Sequence, residues 1–161
     1  MRLLWFLALA PSVALAASIV DRPLRERAAG ADRVALVQVL ASRTLVPLGD
    51  LKKMRTVTRV QVGEDLKGKG PSQIEITQLG GRFGLWESHV AGDATFAPGE
   101  TAVLLLRCAP RPVNGWAQCA LLGLKGGKVP FVAGLAVVAG PLGPQPRTLD
   151  ALKAELTGST R

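Results

Sequence analysis

Tyrosine is absent from this 161-residue chain, histidine occurs once, at His89, and aromatic residues make up only 4% of it. So few rings leave no stretch in which aromatics interleave with arginine, the pattern that stacks and neutralises single-stranded nucleic acid. The basic residues are scattered instead, at Arg22, Arg25, Arg27, Arg33, Lys52, Lys53, Arg55, Lys67 and Lys69. Nucleic acid is therefore not an expected partner, although a basic excess is its usual footprint. Zinc ligands are equally short. Besides His89 there are two cysteines, Cys108 and Cys119, and neither a Cys-x-x-Cys nor a His-x-x-x-His spacing occurs. No metal site and no cofactor is expected from such a set.

Signs of catalysis are also lacking. A nucleophilic triad could be drawn from Ser72 or Ser88 with His89 and Asp93, but no Gly-x-Ser-x-Gly elbow accompanies them. Acid–base chemistry would need two carboxylates from among Glu64, Asp65, Glu87, Asp93 and Glu100. Each lies beside glycine, proline or a turn, where acidic residues serve backbone conformation. The segment Gly80-Gly81-Arg82-Phe83-Gly84 lacks the Lys-Ser/Thr ending of a phosphate loop and reads as a corner needing positive φ. No catalytic residue is expected, and the chain reads as a non-enzyme.

Apolar runs long enough to span a bilayer, about 20 residues, are missing too. Leu3 to Ala10 is apolar throughout but short, follows the charged Arg2, and leads to small residues at Ala14-Leu15-Ala16. A charged start, a short apolar core and an Ala-x-Ala site make a cleavable secretory signal, expected over residues 1–16. No cysteine stands at the cleavage point to carry a lipid. A second apolar stretch, Phe131 to Ala139, is interrupted by Gly134. The exported protein is therefore expected to be secreted or periplasmic, with no membrane span after signal cleavage.

What remains is the size of one ordinary domain. Basic residues outnumber acidic ones, 20 to 12, for a formal net charge of +8. That balance bears on solubility and on anionic partners rather than on fold. In an oxidising compartment Cys108 and Cys119 read as one disulfide. Between them, Asn114-Gly115 signals a reversal. A two-residue turn there would set Cys119 opposite Pro110, so the loop must be wider than a minimal hairpin if the cysteines are to face each other. Trp86 and Trp116 are expected in the domain's packing or partly exposed at its mouth.

A helix is expected from Pro23 to Ala29, capped by Asp21 and ended by Gly30. Val34 to Leu40 is a continuous apolar, valine-rich run of strand length, and Thr101 to Arg107 reads the same way. Thr56 to Val62 alternates with period two, as does the stretch around Ile74 and Ile76, which stops at Gly80-Gly81. Residues 82–98 show no clean period. Trp116 to Leu122 and Lys128 to Val132 complete six expected strands. Pro141, Pro144 and Pro146 mark a linker, and Leu149 to Leu156 is an amphipathic helix capped by Thr148. Six short strands without alternating helices point to a mainly β protein. The form they fit is a small antiparallel barrel or sandwich with a short helix at each end. The barrel domain with its leading helix is placed at residues 17–140, and the Pro-rich linker with the C-terminal helix at 141–161.

Several segments, in order, resemble a poorly characterised family of exported bacterial proteins. They are Ala31-Asp32-Arg33-Val34, Thr56 to Val62 with Leu66-Lys67-Gly68, Gln78-Leu79-Gly80-Gly81, and Phe96-Ala97-Pro98-Gly99-Glu100 with Val103 to Leu106. Gly123 to Val129 is similar to that family's later glycine-lysine turn. The opening strands are also similar to netrin-like domains and tissue metalloproteinase inhibitors, and this resemblance implies a small antiparallel OB-like Greek-key barrel with a short N-terminal and a short C-terminal helix. Those inhibitors begin with a zinc-binding cysteine, whereas the mature chain here would begin at Ala17 or Ser18, so the inhibitory activity does not carry over.

Together these readings point to a non-catalytic binding or accessory module. Its expected partner is an exported protein, met in the envelope or outside the cell. The candidate surface comprises Arg82, Trp86, Glu87 and His89, with the basic turn at Lys67 and Lys69. The alternatives are an electrostatic binder of an anionic envelope polymer and a hydrolase using the 82–93 segment.

Overall fold

In a computed structural model, residues 22–140 and 142–158 are described. The signal expected over residues 1–16, the cap expected at Asp21, and Pro141 lie outside the described residues. The chain forms α1 (Leu24–Ala29), β1 (Arg33–Leu45), β2 (Arg55–Lys67), β3 (Gln73–Phe83) and β4 (Trp86–His89). It continues through β5 (Thr101–Cys108), β6 (Ala117–Leu121), β7 (Lys128–Val132), β8 (Leu135–Gly140), β9 (Gly143–Arg147) and α2 (Leu149–Thr157). The protein is mainly β, with 53% of the described residues in strands and a closed barrel of five.

Around the barrel the order is β1-β2-β3-β6-β5, and β5 pairs back onto β1 to close it. This is the expected OB-like arrangement. Its pairings are antiparallel except β3 with β6, which run parallel. That exception follows from the crossover: the chain leaves β3, returns along β5, and only then lays β6 beside β3.

Closure explains the two kinds of strand pattern. In β1, Ala35, Val37 and Val39 face the barrel interior, while Val34 and Leu36 face outward beneath α1 and α2. In β5, Ala102, Leu104 and Leu106 point in, and Val103 and Leu105 point out. Both strands are buried on two faces, so their sequences are continuously apolar. By contrast β2 and β3 have a watered outer face and alternate. The outer core is completed by Leu24 and Ala28 of α1, Leu152 of α2, and Ala136 and Val138 of β8. Each fully enclosed leucine contributes about 1.5–3 kcal/mol.

The helices meet expectation closely. Gly30 ends α1, and the Thr148 hydroxyl accepts a hydrogen bond from Ala151 N to cap α2. Helix α1 begins after Pro23 without a side-chain cap. Among the described residues no helix is long and apolar enough to cross a membrane.

Among the described residues, nine strands replace the six expected. The stretch taken for a Pro-rich linker is β9, paired with β8 from Ala136↔Arg147 to Gly140↔Gly143. Proline cannot donate to a ladder, but Pro144 and Pro146 sit in an edge strand, where the missing N–H leaves no gap. Nor does β3 stop at Gly80-Gly81. It runs on to Phe83 and pairs with β4, a strand with no buried face and hence no period to read.

Cys108 and Cys119 are directly paired across β5 and β6 and form a disulfide. The turn between them is nevertheless the two-residue one, since Val113 pairs with Trp116 around Asn114-Gly115, both at positive φ. The expected conflict is absorbed elsewhere. Residues 109–112 face only 117 and 118, so Pro110-Arg111-Pro112 bulges and brings the cysteines back into register.

Candidate binding site at the open end of the barrel

The barrel interior changes character along its length. Val60, Ile74 and Ile76 fill one part, and the next inward positions on the same strands are Thr58, Thr56 and Gln78. On β1 an irregularity between Val39 and Ala41 leaves Ser42 opposite Thr58. The extra residue keeps both hydroxyls on the inner face. Ser42 Oγ and Thr58 Oγ1 lie 2.8 Å apart, which satisfies Thr58 although it is fully buried. Residues 90–96 lie across this polar end. Gln78 Nε2 donates to Asp93 Oδ1 at 2.5 Å and to Ala94 O at 2.9 Å, and Asp93 Oδ1 also accepts from Ala94 N. A groove of about 430 Å³ remains, bordered by Thr56, Thr58, Gln78, His89, Asp93 and Phe96.

The β3–β4 hairpin leaves from the rim of this groove. Gly80 and Gly81 make that departure possible, with φ of 84° and 141°. A Cβ on Gly81 would stand 2.5 Å from Thr56 Oγ1 and 2.7 Å from Thr44 Oγ1, so only glycine lets β3 cross this close. The corner expected from sequence is thus present, inside a strand rather than at its end. At the tip, Gly84 and Leu85 form a two-residue turn between the paired Phe83 and Trp86. Leu85, Trp86 and Phe83 are 101%, 64% and 54% exposed. Among the described residues β4 pairs only with β3, so its other edge is open.

Four of the six expected surface residues come together here. Arg82 pairs directly with Glu87 across the hairpin, Trp86 stands beside the turn, and His89 Nε2 lies 2.7 Å from Glu87 Oε1. Lys67 and Lys69 do not join them, because they sit at the opposite end of β3. Lys67 Nζ donates to Ala28 O and Ala31 O, each at 2.8 Å, and so closes the C-terminal end of α1. Lys69 is exposed in the β2–β3 connection.

The carboxylates considered for acid–base work are dispersed. Glu64 meets Lys153, Asp65 holds the buried Arg33, Glu100 meets Lys128, and Asp93 is engaged with Gln78. Ser88 precedes His89 on β4, and strand alternation turns its side chain to the other face. Among the described residues no three metal-ligating side chains gather.

Trp116 lies away from this end, with the Arg59 guanidinium 4.8 Å above its ring. Arg59 Nε also donates to Glu75 Oε1 at 2.8 Å, and Gln118 Nε2 donates to Glu75 Oε2 at 3.1 Å. These bonds, Arg59's first, hold the Glu75 carboxyl below its ordinary pKa.

Sequence reading places Phe83 and Leu85 within the candidate surface segment 82–93 without singling them out, and does not find the inward hydroxyls of Ser42, Thr56 and Thr58. The visible signal was Phe-Gly-Leu-Trp, a two-residue turn flanked by aromatics. No protein-family model matches this chain, and no curated protein aligns with it significantly.

Proposed function

We propose that the chain is an exported, non-catalytic binding module that docks a protein partner through the β3–β4 hairpin. The observation that carries this reading is the cluster of exposed Phe83, Leu85 and Trp86 at the tip of a hairpin with an open edge. A grouped apolar surface rimmed by polar residues marks an interaction site more often than isolated ones do. Aromatic side chains commonly anchor interfaces, and an open strand edge accepts an extended segment from another chain. Arg82, Glu87 and His89 make the other face of the hairpin polar. The Cys108–Cys119 disulfide is compatible with export.

The test is retention on the immobilised protein of components from its own exported and envelope fractions, at low and high salt. The reading expects one protein retained at high salt by the wild type and lost by a Leu85→Asp, Trp86→Asp double variant. Recovery of only anionic polymer, released as salt rises, would instead assign charge-driven attachment through the chain's excess of basic residues. A turnover found in the wild type and abolished by His89→Ala would assign a hydrolase.

A further inference from the structure

A second cavity, of about 650 Å³, lies on the other side of residues 91 and 92 from the polar groove. Its volume falls in the range of small-ligand sites, about 300–1,000 Å³. The walls are largely apolar, formed by Ala91, Leu124, Val129, Pro130 and Val137, and no carboxylate lines it. Its charged lining residues are Arg27, Lys125 and Lys128, all of one sign. Lys128 is already engaged, by the Glu100 carboxylate and by Thr95 O. Lys125 stands exposed at the rim.

Arg27 is different. Its Nη1 donates to Gly126 O at 2.7 Å, but Nε and Nη2 are buried without a partner among the described residues. These two nitrogens form the side of the guanidinium that takes a carboxylate with two parallel hydrogen bonds. The molecule displays that pairing six residues further on. Arg33 Nε meets Asp65 Oδ1 at 2.6 Å and Arg33 Nη2 meets Asp65 Oδ2 at 3.0 Å. Arg27 presents the same side with nothing to receive it. A buried, half-bonded cation is costly, and an anion that pairs with it removes that cost.

We propose that this cavity binds a small organic carboxylate with an apolar body, the carboxylate pairing with Nε and Nη2 of Arg27. Both nitrogens are buried, so ligand binding requires the guanidinium to turn about its Gly126 contact toward the cavity. Lys125 at the rim adds attraction during approach. The apolar walls select the body, and the absence of any lining carboxylate favours the anion.

Octanoate, 1-octanol and inorganic phosphate are the probes, titrated into the purified protein by calorimetry while the Arg27 Nε–H resonance is followed. The expected result is that octanoate binds at least tenfold more tightly than either other probe and moves that resonance. Arg27→Met should weaken octanoate at least tenfold and leave octanol unchanged. Arg27→Lys keeps the charge without the planar edge, and should recover only part of the loss. Equal binding of octanoate and octanol, or no octanoate binding at millimolar concentration, would overturn the proposal. So would phosphate matching octanoate, or undiminished octanoate binding by Arg27→Met. The wild-type comparison of the probes stands even if a variant fails to fold.

Discussion

On the side of the barrel covered by α1, α2 and β8, leucines 24, 105 and 152 are enclosed. At the end where β3 runs on into β4, Phe83, Leu85 and Trp86 stand in water. The two regions spend similar side chains in opposite ways. The covered side uses apolar residues to hold two helices against a sheet. The hairpin carries its own on a two-stranded projection that could not bury them and would be marginal alone. Apolar content therefore does not distinguish covered from exposed surface in this protein; the number of faces against which a strand packs does.

The sharpest way to break this comparison is on the covered side. Leu152→Ala empties a fully buried position between α2 and the barrel, and should cost about 2–5 kcal/mol in urea denaturation. A loss well under that range would mean α2 is an ornament rather than part of the core. Next in size is the disulfide, which closes a separation of 11 residues. Replacing Cys108 and Cys119 by serine should lower stability by about 2–3 kcal/mol. At the junction of the two regions, Gly81→Ala places a methyl against Thr44 and Thr56. A cost of about 1–3 kcal/mol is expected from the strained backbone and the clash. Faster exchange of the β4 amides should accompany it, because the hairpin loses its fixed departure.

The smallest of these effects is in acid. Glu75 has a lowered pKa in the folded state, held by Arg59 first and Gln118 second. The unfolded chain therefore binds its proton more readily. The stabilisation is full above the ordinary carboxyl pKa and is lost as pH falls from there through the lowered one. Melting temperature followed through that window should fall more steeply for the wild type than for Glu75→Gln. Parallel profiles would remove Glu75 from the acid response.

These differences follow the legibility of the sequence. Strands β1 and β5 were readable because burial on two faces writes an unbroken apolar run, and α2 because Thr148 and its leucine spacing agree. Strand number and the lack of alternating helices left a barrel or a sandwich open, and the resemblance to netrin-like domains implied the OB-like closure that forms. Strand β4 was not readable, since no face of it is buried. Nor was β9, where two prolines normally argue against a strand and only its edge position permits them. At the candidate site, Arg82, Trp86, Glu87 and His89 were singled out as neighbours in sequence, and the hairpin keeps them together. Lys67 was grouped with Lys69 by proximity along the chain. Its engagement by the carbonyls of Ala28 and Ala31, at and just past the end of α1, is a contact across 39 and 36 positions that no local pattern encodes. The inward hydroxyls depend on the irregularity near Leu40, which shifts the alternation by one residue and hides Ser42 from a period-two reading.

On the proposed reading, the tip of the β3–β4 hairpin is surface offered to a partner and no part of what holds the barrel together. Urea denaturation of the Leu85→Asp, Trp86→Asp double variant beside the wild type tests it most directly. The two curves should agree in slope and differ by no more than about 0.5 kcal/mol per substitution, the ordinary range for exposed sites. A loss of several kcal/mol, or a change in slope, would place these side chains in the core and contradict the account.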